Sequence, residues 1–188
     1  MGELDELRSL VADLQRRLAV LEIREACQST FHQYLYLMDV GYADELVREV
    51  FTTDAVLDVV NFPPGSGEDL HLVGHEGISP LYVDHTRWEP SVRGGHHTSN
   101  VSISVDDDLA HAELSAYMMT SGAGRASLQG GQYQGRFRRD GDGKWRLERF
   151  RIISGWGWTV ASESSGRITE PVDATKAERG ARPPVFRP

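Results

Sequence analysis

A single cysteine, Cys27, serves a chain of 188 residues, which excludes an internal disulfide and a thiolate metal cluster. No apolar stretch is long enough to span a bilayer, and no early apolar run follows basic residues as an export signal would require. The chain is therefore expected in a reducing cytoplasm, with no membrane partner. Positive charge is also scarce: Lys and Arg number 20 against 28 Asp and Glu, for a formal charge of -8. That balance argues against a nucleic-acid partner, because phosphate binding needs a concentrated basic surface. The one dense basic cluster, Arg136 to Arg151, reads as strands. No GxSxG elbow and no Walker sequence occurs. The Gly122-Ala123-Gly124 and Gly130-Gly131 runs read as turn or bulge glycines, since neither lies between a strand and a helix of a parallel unit.

What remains is an ordinary globular mixture, 39% hydrophobic and 26% charged, with a high glycine count of 19 that signals many turns. The length fits one domain, here divided into a helical leader (1–18), a domain (19–160) and a charged, proline-bearing tail (161–188). Leu4, Leu7, Leu10, Val11, Leu14, Leu18, Leu21 and Ile23 recur at mostly three- and four-residue intervals, the spacing of an amphipathic helix. The periodicity runs on through Phe31, Tyr34 and Met38, too far for one ordinary helix. A first helix to about residue 18 and a second, packed one to about Met38 are expected, either separate or continuous. The heptad-like first part either caps its own core or forms a dimerising arm. Gly41 suits a left-handed helix cap, Tyr42 to Phe51 reads as another amphipathic helix, and Ala55 to Val60 as a strand. Asn61 to Asp69 reads as a loop and Ile78 to His85 as a short helix.

The most informative stretch is Gly94 to Val105, which alternates polar and apolar residues up to Asp106, Asp107 and Asp108. As a strand it places His96, Thr98 and Asn100 on one face and His97, Ser99, Val101, Ile103 and Val105 on the other. His111 to Thr120, Leu128 to Arg138 and Lys144 to Ile153 alternate likewise, separated by a polar glycine-rich turn at Ser121 to Ala126 and by Asp140-Gly141-Asp142-Gly143. Helices first and antiparallel strands later give an α+β arrangement. Its curved sheet, wrapped against the N-terminal helices, would enclose a cone suited to a small apolar ligand.

Asp39, at the end of an apolar helix, has two readings. It is a helix-terminal carboxylate facing water or, if the helix end faces the sheet wall, the acceptor for one imidazole nitrogen of His96. The second reading would leave the other nitrogen free as a base. His97, on the face of Val101 and Ile103, fits packing or an interface. His71 and His75 are four apart, but Gly74 breaks the helix such a metal pair would need, so no metal and no cofactor is called for. Cys27, in an apolar helical stretch, reads as buried packing rather than a nucleophile.

Tyr34 to Asp39, Phe51 to Leu57, His96 to Asn100, Gly130 to Tyr133, Phe137 to Gly141 and Lys144 to Arg146 together resemble the SnoaL-like branch of the nuclear-transport-factor-2-like superfamily. The chain is most similar to the group of scytalone dehydratase, bile-acid dehydratase and hexachlorocyclohexane dehydrochlorinase. The resemblance covers roughly residues 20 to 155. It implies a cone-shaped α+β barrel, a mixed or antiparallel sheet packed against N-terminal helices. It also implies a catalytic dyad of Asp39 and His96, with Tyr34 as a pocket residue polarising the substrate. Where dehydrochlorinase-like members carry a pocket arginine in the last strand, this chain has Phe150, and strand parity sends Arg149 and Arg151 to the other face.

The expected function is that of an enzyme: a cofactor-independent lyase, a dehydratase of hydrophobic cyclic or polyketide-like hydroxy-carbonyl compounds. Asp39, His96, Tyr34 and Asn100 would be its catalytic residues. Phe31, Tyr117, Met119, Phe150 and Ile152 would line its pocket. The alternatives are a cyclase or isomerase using the same dyad, or a non-catalytic ligand-binding module. The outer sheet face, with Val101, Ile103, Arg149 and Arg151, suggests a homo-oligomer, a dimer or a trimer.

Overall fold

The computed structural model describes residues 2–62, 66–86, 95–122 and 126–160. The expected approach segment before Gly95, the tip of the turn after Ser121 and the tail lie wholly or largely outside the described residues.

The first element is one helix, α1 (Glu3–Val40), so the two expected helical segments are continuous. Neither glycine nor proline occurs within it, so nothing in the backbone breaks the ladder. It ends at Gly41, whose φ of 78° lets its N–H reach back to the Leu37 carbonyl at 2.9 Å. Then come α2 (Ala43–Val50), β1 (Phe51–Val60), β2 (Leu70–Val73), α3 (Gly74–Thr86), β3 (His96–Val105), β4 (His111–Gly122), β5 (Ala126–Arg139) and β6 (Trp145–Val160). β2 was not anticipated. It is four residues long and follows a segment rich in turn formers, so its alternation is too short to stand out. β6 runs past the expected Ile153 and takes in Gly155-Trp156-Gly157-Trp158, of which Trp156, Gly157 and Trp158 pair with Gly130, Gln129 and Leu128 on β5.

The six strands form one mixed sheet in the order β2-β1-β6-β5-β4-β3. β3 to β6 make the expected antiparallel meander, and β1 joins β6 in parallel. The sheet does not close: β2 and β3 are its edges. Its inner face packs on the helices through Leu57, Val59, Ala112, Leu114, Ala116, Met118, Tyr133, Phe137, Leu147 and Phe150, all buried. α1 supplies Cys27, Phe31, Tyr34 and Leu37 to the same core, and α2 supplies Leu46, Val47 and Val50. The Thr30 hydroxyl donates to the Trp145 carbonyl at 2.7 Å and fixes α1 against the start of β6.

Curvature is built in at bulges. On β3 the register slips between Ser99 and Ser102, and Asn100 takes a φ of 52°. One extra residue reverses the side-chain phase, so Ile103, expected on the outer face, is buried inside. The outer face that should have carried a homo-oligomer contact therefore loses Ile103. Another slip lies opposite Gly130 and Gly131, where Gly130 pairs with Trp156 and Gly131 with Ser154, so the extra residue is Gly155 on β6 and the bulge is not in the glycine pair itself. A Cβ on Gly131 would lie 2.0 Å from the Ile153 carbonyl oxygen and 3.0 Å from Met118 Cε.

Replacing Gly131 by Ala is accordingly expected to destabilise the fold by about 2 kcal/mol or more, measured by urea unfolding, because backbone on β6 must move. The Cys27 thiol is fully buried and burial pushes its pKa up to about 12. It should resist alkylation at mildly alkaline pH and react once the chain is unfolded in denaturant, as mass spectrometry would show.

Candidate active site

Three features bring one carboxylate and one imidazole together. α1 runs along the edge strand β3, the Gly41 cap turns the chain away just after Asp39, and β3 begins at His96. An edge strand has backbone N–H groups without a strand partner. The His96 N–H is such a group, and it donates to both Asp39 oxygens, 3.1 and 3.2 Å away. The same carboxylate lies 2.5 Å from His96 Nδ1. An ionised Asp39 can only accept, so Nδ1 carries a proton, and in the neutral tautomer so selected Nε2 keeps its lone pair. The Asp39 and His96 side chains are 32% and 19% exposed, so the pair is sheltered but not sealed.

An aromatic cluster in the core lies close enough to feel the Asp39 charge, at Tyr34 and Tyr133. The Tyr34 ring centroid is 5.0 Å from that of Phe150, 5.8 Å from Tyr133 and 6.1 Å from Tyr82, mostly edge to face. Phe31 stacks beside Tyr34, and Phe51 completes the cluster. Burial above all holds the Tyr34 phenol well above its ordinary pKa, helped by the neighbouring Tyr82 and by the Asp39 charge. Tyr133 is raised in the same way by burial, by Tyr34 and by Asp39. Tyr82 is raised by burial too, and its hydroxyl makes no hydrogen bond of normal geometry to a described residue. These phenols stay protonated, so they can donate hydrogen bonds but cannot act as bases.

The expected residues divide unevenly. Asp39, His96 and Tyr34 are gathered at one end of the inner face, and Phe31 and Phe150 are buried in the same cluster. Ile152 is half-buried opposite Tyr133 on β5, on the inner side. Asn100 is exposed at the bulge rather than in line with His96. Tyr117 and Met119 are 52% and 41% exposed and belong to the outer face. Their inward neighbours are Ala116 and Met118, because Met118 pairs with Thr98, two residues from His96 on its face. Tyr82 and Tyr133 went unnamed. Tyr133 was readable, since it alternates in phase with Phe137. Tyr82 sits in a short helix whose pattern gives no hint of what it faces.

Arg149 and Arg151 do lie on the outer face, beside an open groove of about 690 Å³ lined also by Asp58, His71, Glu113 and Arg136. Much of this charge is paired within the chain: His71 Nδ1 lies 2.7 Å from Asp58, and Arg136 bridges Glu113, Glu148 and Asp106. Asp106, Asp108 and His111 also converge within 4.8 Å at the β3–β4 turn, with Asp106 already bonded to Arg136.

The family model described as a SnoaL-like domain matches residues 19–151. The chain belongs to the SnoaL-like family. Among solved structures, a scytalone dehydratase-like protein from Novosphingobium aromaticivorans is similar at 18% identity and a TM-score of 0.59, over 78% of this chain and 95% of that one. An NTF2-like protein with a cystatin-like fold from the same organism gives 22% and 0.63, over 76% and 88%. The hexachlorocyclohexane dehydrochlorinase LinA-type3 from Novosphingobium barchaimii gives 20% and 0.60, over 80% and 96%. At these identities the likeness is one of fold. No curated protein matches this chain in sequence. For this SnoaL-like domain no helix among the described residues is long and apolar enough to cross a membrane.

The geometry predicts the tautomer of His96. Nitrogen-15 NMR of the neutral ring should show Nδ1 protonated and Nε2 bare. Asp39→Asn should shift that signature towards the Nε2-protonated form, and an unchanged spectrum would mean that the carboxylate does not orient the ring.

Proposed function

We propose that this SnoaL-like domain is a cofactor-independent lyase, a dehydratase of hydrophobic cyclic or polyketide-like hydroxy-carbonyl compounds. The observation that carries the reading is the 2.5 Å contact between Asp39 and His96 Nδ1, which leaves Nε2 of the neutral ring available as a base. His96 Nε2 takes the proton on the carbon next to the substrate carbonyl. Asp39 stabilises the imidazolium so formed, and a buried phenol donates to the carbonyl oxygen as negative charge develops there. The imidazolium then returns its proton to the departing hydroxyl. One C–H and one C–O bond break, a C=C bond forms and water leaves, with no redox change.

Tyr34 is the phenol first assigned to this role. Tyr82 joins it, because its buried hydroxyl lacks a well-formed partner. The exposed Asn100 gives up its share. Proton abstraction without loss of water would make the same site an isomerase or cyclase.

A second reading has its own observation. Asp39 also accepts the His96 backbone N–H, so a ligand-binding module without catalysis could keep the carboxylate merely to tie the helix end to the edge strand.

Exchange of the alpha proton of cyclic ketones in heavy water separates the two. The enzyme reading expects His96→Ala and Asp39→Asn to lower the exchange rate, the former by about 10²-fold or more. Equal rates in the wild type and both variants would leave only the binding module. The ketones that exchange fastest would identify the substrate class.

A further inference from the structure

α1 carries two apolar faces that do not line up. From Cys27 onward the helix buries Cys27, Phe31, Tyr34 and Leu37 against its own sheet. Before that, Leu4, Leu7, Val11, Leu14, Leu18 and Leu21 are each more than half exposed. At about 100° per residue, the mean directions of these two sets are roughly opposite. The arm's stripe is thus not an overshoot of the core face. Arg16 marks the inward side of the arm: its guanidinium donates to the Asp107 carboxylate and carbonyl at 3.0 and 3.1 Å, on the β3–β4 turn. The leucines point away from that contact, so the expectation that this segment caps its own core is not met.

The stripe has the spacing of a coiled-coil seam. Leu4, Val11 and Leu18 fall at a positions and Leu7, Leu14 and Leu21 at d, an alternation of three and four residues without a gap. It ends where it should, since the next a and d positions hold Glu25 and Gln28. Arg16 then falls at f, opposite the seam, as its contact with the domain requires. The flanking charges select the partner and its direction. In a parallel pair, each g residue faces the e residue five further along the other helix. That places Glu3 against Arg8 and Arg17 against Glu22 of the second copy, opposite signs in both cases, with Leu10 against Gln15 between them.

We infer that residues 3–22 of α1 form a parallel, in-register two-stranded coiled coil with the same segment of a second copy of this chain. The helix is already nucleated by its packed C-terminal half, so pairing need not meet the cost of starting a helix. The seam is about 27 Å long. This inference is independent of the catalytic reading.

Sedimentation equilibrium of the full chain at tens of micromolar tests it. The wild type is expected to self-associate, and Val11→Glu/Leu14→Glu should at least halve its mass while the near-ultraviolet circular dichroism of the domain stays unchanged. A monomeric wild type, or a double variant of wild-type mass, would overturn the inference. Direction is tested by charge. Glu22→Arg should weaken association about tenfold, and Arg17→Glu/Glu22→Arg should restore it. Leu4→Cys should cross-link two copies on oxidation, because Cys27 is buried and cannot compete. An antiparallel pair would set residue 4 against residue 21 and give no cross-link, which would overturn the parallel arrangement.

Discussion

The structure turns on one carboxylate shared between backbone and side chain. Asp39 accepts the first N–H of the edge strand and the adjoining imidazole proton at once, so a single residue joins the end of the long helix to the rim of the sheet. The arrangement resolves two local problems of electrostatics. A carboxylate at a helix C-terminus faces the negative end of the macrodipole, and an edge N–H lacks a partner. Each answers the other, and the imidazole, drawn against the same oxygen, is held in one orientation. Supporting the strand and orienting the base are thus one interaction.

In the core near that pair the polar chemistry is one-sided. Phenols pushed up by burial remain donors, and the one thiol in the chain is pushed up as well. Edge-to-face ring packing at 5 to 6 Å makes the aromatic cluster rigid as well as apolar. In the proposed reaction the imidazole is the group that takes the proton and the buried phenols are the donors. Such a division of labour suits a reaction in which a carbon loses a proton while a neighbouring oxygen gains charge.

Much of this was legible in the residues, and the failures share a cause. Gly41 announced the helix end, and alternation placed Phe150 and Ile152 inside with Arg149 and Arg151 outside. Pairing of Asp39 with His96 followed from the family pattern together with the face of the strand. Simple alternation failed at Asn100, where a left-handed residue shifts the phase and carries Ile103 to the core. Tyr117 and Met119 were lost by a choice of face: size and apolarity favoured them over Ala116 and Met118, but the register with Thr98 decides. The continuity of the long helix was left open on length alone, because a run of 38 residues exceeds an ordinary globular helix although no glycine or proline interrupts it.

The strand order carries a consequence for synthesis. β6 is central although it is last: Phe51 pairs with Leu147, and Arg139 with Trp145. Until the ribosome has delivered β6, the first hairpin and the meander of β3 to β5 have no hydrogen-bonded neighbour in common. The sheet exists only as two fragments with open edges. Its closing contacts span nearly a hundred residues, so the domain must assemble late and by long-range encounter rather than as it emerges.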